Sequence, residues 1–189
     1  MLKQPIDLEV VHDEFKRFHK DHMTLVMATV DEQGVPNASY APYVEVEGRF
    51  YIYVSELAAH TRNLLDRSDV SVFFVENESL ANHPFGRRRV TYRCKAHEIV
   101  RESEQFASTM PRFAEKFGSL IDKTLFHLND FHLFGLQPVD AVYVQGFARA
   151  FEISGPRLHD IRHINDAGHQ TSNASARHQL TDPASAGAG

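Results

Sequence analysis

MTLVMATVDEQGVPNASYAPYVEVEGRFYIYVSELAAHTRN, residues Met23 to Asn63, is the stretch on which the fold reading rests. It divides into three short strands and the start of a helix, interrupted by DEQG (Asp31 to Gly34) and EGR (Glu47 to Arg49). Gly34 and Gly48 can take the positive φ of a tight reversal and Asp31 can hydrogen-bond within its own turn, so two hairpins are predicted. The third strand, FYIYV (Phe50 to Val54), is apolar on both faces. Neither face can lie open to water, so the sheet is expected to curl into a barrel or to be covered by a partner.

Composition bounds the rest. A chain of 189 residues is one domain of ordinary size, long enough to bury a core without disulfide or metal staples. Its one cysteine, Cys94, excludes an intrachain disulfide and any cysteine-rich metal centre, which suits a reducing, cytoplasmic compartment. The N-terminal MLKQPIDLEVVHDEFKRFHKDH lacks the apolar core of a leader, and no window reaches the length of a membrane span. A net charge of −5 argues against bulk binding to nucleic acid, although Arg87, Arg88 and Arg89 form a local basic cluster.

Around the central stretch, a first helix is predicted over Leu8 to His19, with Leu8, Val11, Phe15 and Phe18 on one face. His12, His19 and His22 do not gather on one helical face and are read as surface histidines rather than a metal site. Ser55 is expected to cap a short helix in SELAAHTRNLLDRSD, and VSVFFVE (Val70 to Glu76) is a strand. After the loop Asn77 to Gly86, Arg87 to Val100 reads as a long strand. Two helical pieces follow, Glu102 to Thr109 and Arg112 to Thr124, separated at Pro111. Phe131 to Pro138 is a strand and Asp140 to Ile153 a longer one, whose face of Val142, Val144, Gly146, Ala148 and Ala150 implies close approach of another element. Ser154, Gly155 and Pro156 mark a further helix start. From Asn165 to Gly189 the chain is poor in large apolar residues and is expected to be mobile, yet it carries His169 beside Gly168.

The run TLVMATVDEQGVPNASYAPYV, followed by LAAHTRNL and VSVFFVE, resembles the split-barrel superfamily that includes pyridoxamine 5′-phosphate oxidase. More narrowly, SYAPYV, AAHTRNL, FGRRRVTY, RFAEKFG, LNDFHLFGLQP, VQGFARAFEISG and the late Gly168–His169 pair resemble the HugZ and HutZ heme-utilisation proteins. That resemblance, over about residues 10 to 173, implies a homodimer that binds heme at the shared interface and opens the porphyrin to biliverdin with release of iron. It also implies O₂ and an external electron donor as partners.

The resemblance matches His169 to the axial iron ligand, the alternative being a solvated histidine. Asp130 matches an acidic residue beside that ligand, where a carboxylate would fix the imidazole tautomer; the alternative is a helix cap before the next strand. Arg89 matches a basic strand position. Strand alternation sends Arg88 one way and Arg87 and Arg89 the other, and both Arg88 and Arg89 are candidate cofactor contacts unless they merely charge an edge strand. His60 stands where flavin-binding relatives usually carry Lys or Arg, which disfavours FMN, although Arg62 and Arg89 remain sources of charge; the alternative for His60 is a residue that caps or packs its helix.

The expected architecture is therefore mainly β with peripheral helices (α+β), a six- to eight-stranded antiparallel split β-barrel, homodimeric. Residues 1–154 form the barrel domain with its N-terminal helix, 155–173 a C-terminal helix and heme-contacting arm, and 174–189 a disordered tail. The rival functions are an FMN-dependent oxidoreductase and a non-enzymatic heme carrier on the same barrel.

Overall fold

The computed structural model describes residues 6–164. Strands β1 (Thr24–Val30), β2 (Pro36–Val46), β3 (Arg49–Ser55), β4 (Asp69–Val75), β5 (Arg89–Ile99) and β6 (Phe131–Gly146) run in the order β3-β2-β1-β4-β5-β6. β6 pairs back with β3, from Phe50↔Leu136 to Ser55↔Phe131, and closes an antiparallel six-stranded barrel. β7 (Arg149–Ser154) and β8 (Asp160–His163) extend the sheet beyond β6. The two predicted hairpins are present: Asp31 Oδ1 accepts from Val35 N at 2.8 Å, and the second turn places Glu47 and Gly48 at φ 53° and 78°. Consecutive left-handed residues match the right-handed twist of the flanking strands.

The two apolar faces of β3 serve two cores. Phe50, Ile52 and Val54 point into the barrel with Leu25, Phe74 and Tyr92. Helix α1 (Leu8–Phe18) lies against the barrel with Val11 and Phe15 in the same core, started by Asp7, whose Oδ1 accepts from Glu9 N at 3.0 Å. Tyr51 and Tyr53 point outward against helix α3 (Glu104–Phe117), where Phe106, Met110 and Phe113 form the second core with Leu133 and Ile99. The outer side of β3 is thus covered by this same chain, so the double-sided strand does not by itself require a partner.

Several elements differ from expectation. Helix α3 is continuous through Pro111, which removes one helical hydrogen bond on an exposed position and leaves the buried stripe intact; the short α4 (Leu120–Lys123) follows. Phe131 to Gly146 is one strand, with a bulge between Arg93 and Cys94 of β5 where Pro138 faces Cys94. A proline is tolerated there because a bulge already breaks the ladder. The strand expected over Asp140 to Ile153 is a hairpin that reverses at Phe147 and Ala148, so the proposed small-residue face does not exist as one surface. Pro156–Leu158 makes a single 3-10 turn rather than the expected helix, and the chain returns as β8 because Ile161 pairs beside Ile153.

Candidate functional site

One group of predicted residues gathers where β3 passes into helix α2 (Ala59–Asp66). Ser55 does not cap that helix, whose N-cap is Ala58 with no side-chain bond. Its hydroxyl instead accepts from Leu57 N at 3.1 Å and donates to Asp130 Oδ2 at 2.6 Å. The Asp130 carbonyl accepts from Glu56 N at 2.8 Å, and Thr61 Oγ1 donates to the Ser55 carbonyl at 2.6 Å. Asp130 is therefore part of a rigid turn and caps no helix. Among the described residues its Oδ1 has no hydrogen-bond partner.

His60 lies in α2, buried at 8% exposure, and its Nε2 is sealed from solvent with no partner among the described residues. Burial lowers its pKa, so the ring is neutral at physiological pH. Arg62 is spent on the carbonyls of Glu56 (2.8 Å) and Leu57 (3.3 Å). The turn that the sequence offered to a flavin phosphate thus presents a neutral imidazole and an engaged guanidinium.

The second group lies at the β4–β5 connection, beside α1. Glu76, buried at 9% exposure, accepts from Arg88 N at 2.6 Å and Arg88 Nε at 2.9 Å. Burial works to raise the Glu76 carboxyl, but the Arg88 amide and guanidinium outweigh it and hold the pKa below its ordinary value. Arg87 donates to the Glu76 carbonyl and to Glu78 Oε1 at 2.8 Å. Strand alternation does not govern these two arginines, because β5 begins only at Arg89 and both turn toward Glu76 and Glu78. Arg89 bonds the Arg87 carbonyl through Nη1 at 3.1 Å. A cavity of about 770 Å³ opens here, with Arg87, Arg88, Glu76, Phe18, His22 and Tyr143 in its wall.

Within one chain the two groups do not meet: no hydrogen bond among the described residues joins Arg88 or Arg89 to Asp130 or His60. A third feature is the outer face of the sheet. In register across β2, β1, β4, β5 and β6 stand Tyr40, Val26, Phe73, Thr91 and Val142, with Tyr40 68% and Val26 42% exposed. Four of these five side chains are apolar, so the row gives the outer face of the sheet a largely apolar character. His169 lies outside the described residues, and no cluster of three metal-ligating side chains occurs among those described.

The expectation of surface histidines near α1 is corrected as well. His12 (9% exposed) and His19 (6%) are buried; His12 Nε2 donates to the Leu158 carbonyl at 2.7 Å and His19 bonds Glu45 at 2.8 Å. Spacing along a helix could not reveal this, because the partners come from β2 and the Pro156–Leu158 turn.

The fold is shared with known proteins. The profile of the pyridoxamine 5′-phosphate oxidase family matches residues 11–145, and the chain belongs to that family. Within it, the chain is 39% identical over 160 residues to the heme oxygenase HutZ of Vibrio cholerae serotype O1, covering 85% of this chain and 90% of the relative, and it belongs to that heme-utilisation group. Among solved structures, HutZ from Vibrio cholerae, described as a heme storage protein, superposes with a TM-score of 0.63 at 40% identity over 67% of this chain and 88% of that one. Campylobacter jejuni ChuZ superposes with a TM-score of 0.76 at 28% identity, covering 86% of this chain and 65% of that one. No helix among the described residues is long and apolar enough to cross a membrane.

Proposed function

We propose that this chain binds heme and degrades it oxidatively to biliverdin, as a homodimer with heme held at the shared interface. The observation that carries the reading is the presentation of Asp130: Ser55 fixes one carboxylate oxygen at 2.6 Å and the other is left to accept a ring N–H. A carboxylate in that role fixes the tautomer of an iron-bound imidazole and makes it a stronger donor. His169 is the proposed ligand. Arg89 supplies a cationic group suited to a propionate, while the Arg88 guanidinium is paired with Glu76, and the Tyr40–Val26–Phe73 row supplies apolar surface for a second copy.

Heme itself supplies the iron at which O₂ is activated with electrons from an external donor; the protein orients it and restricts water. FMN fits less well, because the position that flavin-binding relatives usually fill with Lys or Arg holds His60, whose burial keeps it neutral. A cytoplasmic setting suits Cys94, whose thiol burial pushes up to about 12 and keeps unreactive.

The carrier reading stays in play because HutZ is described both as a heme oxygenase and as a heme storage protein. One experiment separates the readings: the purified protein is titrated with hemin, then given ascorbate under air. A Soret band that bleaches with appearance of biliverdin and free iron supports the oxygenase. A stable Soret band supports the carrier, and failure to bind hemin, with flavin absorption instead, removes both.

A further inference from the structure

Arg101 belongs to neither group of the site, yet its guanidinium spans the segment that delivers Asp130. It stands in the turn between β5 and α3. There Ser103 caps the helix by accepting from Phe106 N at 3.1 Å, and its hydroxyl donates to the Val100 carbonyl at 2.6 Å. The turn under Arg101 is thereby held at both ends.

From this base the side chain reaches the run that leads into β6. Nη1 donates to the Phe126 carbonyl at 2.6 Å, and Nη2 lies 2.7 Å from the Leu128 carbonyl, 3.1 Å from the Phe131 carbonyl and 3.0 Å from the Tyr53 hydroxyl. Nη2 has two hydrogens for these three oxygens, so one bond is shared. The rings of Phe106 and Phe126 flank the guanidinium, with their centres 5.5 and 5.9 Å from its carbon. The three carbonyls bracket Asp130, two before it and one after.

The local backbone offers little else to hold this run. Beyond the 3-10 turn Leu125–His127, neither the Phe126 nor the Leu128 carbonyl receives a backbone N–H among the described residues, and both side chains are exposed. Asp130 is thus held from the β3 side through its own atoms, by Ser55 and Glu56 N, and from the β5 side through its neighbours' carbonyls, by Arg101. A planar fork can spread along several carbonyls, whereas a lysine ammonium sits at one point among them.

We infer that Arg101 is a positioning residue: by tying the carbonyls of Phe126, Leu128 and Phe131 it fixes the backbone that carries Asp130, and with it the direction of the open Oδ1. The inference rests on the role proposed for Asp130 in heme chemistry and adds a residue that acts through it. Arg101→Lys and Arg101→Gln are compared with wild type, with circular dichroism as the check on folding. Without hemin, hydrogen exchange should quicken about tenfold at the amides of Leu128 and Glu56, whose bonds to the Leu125 and Asp130 carbonyls depend on the clamped run. With hemin, affinity should stay within about twofold while the ferric spin state shifts and ring opening slows about tenfold. Adding Arg101→Lys to Asp130→Asn should slow turnover no further than Asp130→Asn alone, because the two act as a unit. Unchanged exchange would overturn the clamp whatever heme does. Faster exchange with a turnover loss that adds in full to that of Asp130→Asn would overturn action through Asp130, and loss of fold in both variants would make Arg101 a structural residue only. A wild type that binds no hemin, or an Asp130→Asn variant that turns over like wild type, would sink the heme role of Asp130 and the positioning role with it, while faster exchange would still report the clamp.

Discussion

The Ser55 hydroxyl donates to Asp130 Oδ2 at 2.6 Å, joining the end of β3 to the residue just before β6. Neighbouring backbone bonds close the same joint, from Glu56 N to the Asp130 carbonyl at 2.8 Å and from Leu57 N to the Ser55 hydroxyl at 3.1 Å. The carboxylate is held before any ligand arrives. Ser55→Ala should therefore leave the fold and hemin binding intact while freeing Asp130 to rotate. Ring opening should slow about tenfold, the scale typical for losing a partner that orients a metal ligand. Single-turnover absorption at the Soret maximum measures it, and an unchanged rate would remove Asp130 from the proposed role.

A pH effect is expected two residues further on. His132 is gripped by Glu98 on Nδ1 at 2.6 Å and by Glu56 on Nε2 at 2.7 Å. Burial acts to lower its pKa, but the hydrogen bonds that its ring donates to the Glu98 and Glu56 carboxylates outweigh this and raise it. A raised pKa means that the stabilisation is fully present below the unfolded value of about 6.5 and fades as pH rises through the folded value. With both glutamates about half in water, the clamp is worth about 1 kcal/mol. Denaturant unfolding of wild type and His132→Gln should differ by that amount near pH 5.5 and converge in alkaline buffer. A gap that instead widened with rising pH would contradict a charged clamp.

The second core gives a stability prediction. Phe113 is 1% exposed between α3 and β3, packed near Tyr53 and Phe117. Phe113→Ala should cost about 3–5 kcal/mol, transfer and cavity together. It should do so whether or not the protein is dimeric, because α3 belongs to the same chain. Urea unfolding at two protein concentrations checks both points.

Much of this architecture is legible in the sequence wherever a turn residue announces itself. Gly34 and Gly48 sit at positive φ as their hairpins require, and β1 alternates exposed and buried from Thr24 to Thr29. The missed reversal after Gly146 has another cause: Ala148, which gives no turn signal, occupies φ 53° there. The helix expected after Ser154, Gly155 and Pro156 gives way to β8, whose four residues are too few to show alternation and become a strand only through pairing such as Ile161 with Ile153. At the site, residue types were readable but partners were not. Nothing local in the sequence tells that Ser55 reaches Asp130, 75 positions away, or that Glu76 engages Arg88. Such pairs are created by barrel closure and by the β4–β5 connection.

The proposed homodimer cannot be built on the outer side of β3, which α3 covers, or on a small-residue face, which is a hairpin. The row Tyr40, Val26, Phe73 and Val142 is an apolar surface on the outer sheet face, with Val26 at its middle and 42% exposed. A stable interface there would bury roughly 2,000 Å² or more. Val26→Glu places a charge in that surface without entering the barrel, so it should yield a folded monomer with weakened hemin binding. Sedimentation of the variant at micromolar concentration reads the outcome. A variant that stays dimeric would move the interface elsewhere.

The assignment of the iron ligand is the most exposed expectation, because His169 lies outside the described residues and rests on resemblance together with the open oxygen of Asp130. His169→Ala should abolish the ferric imidazole spectrum and most ring opening, while circular dichroism and oligomeric state stay unchanged. His163→Ala should do neither, as His163 already bonds the Ala148 carbonyl at 3.2 Å at the sheet edge. Asp130→Asn should keep heme but weaken the imidazole as a donor, shifting the iron spin state and slowing turnover. The informative rival is His60, whose buried Nε2 has no partner among the described residues. If His60→Ala loses the heme spectrum while His169→Ala binds and degrades heme like the parent, the iron is held from α2. The role given to Asp130 would then fall with it.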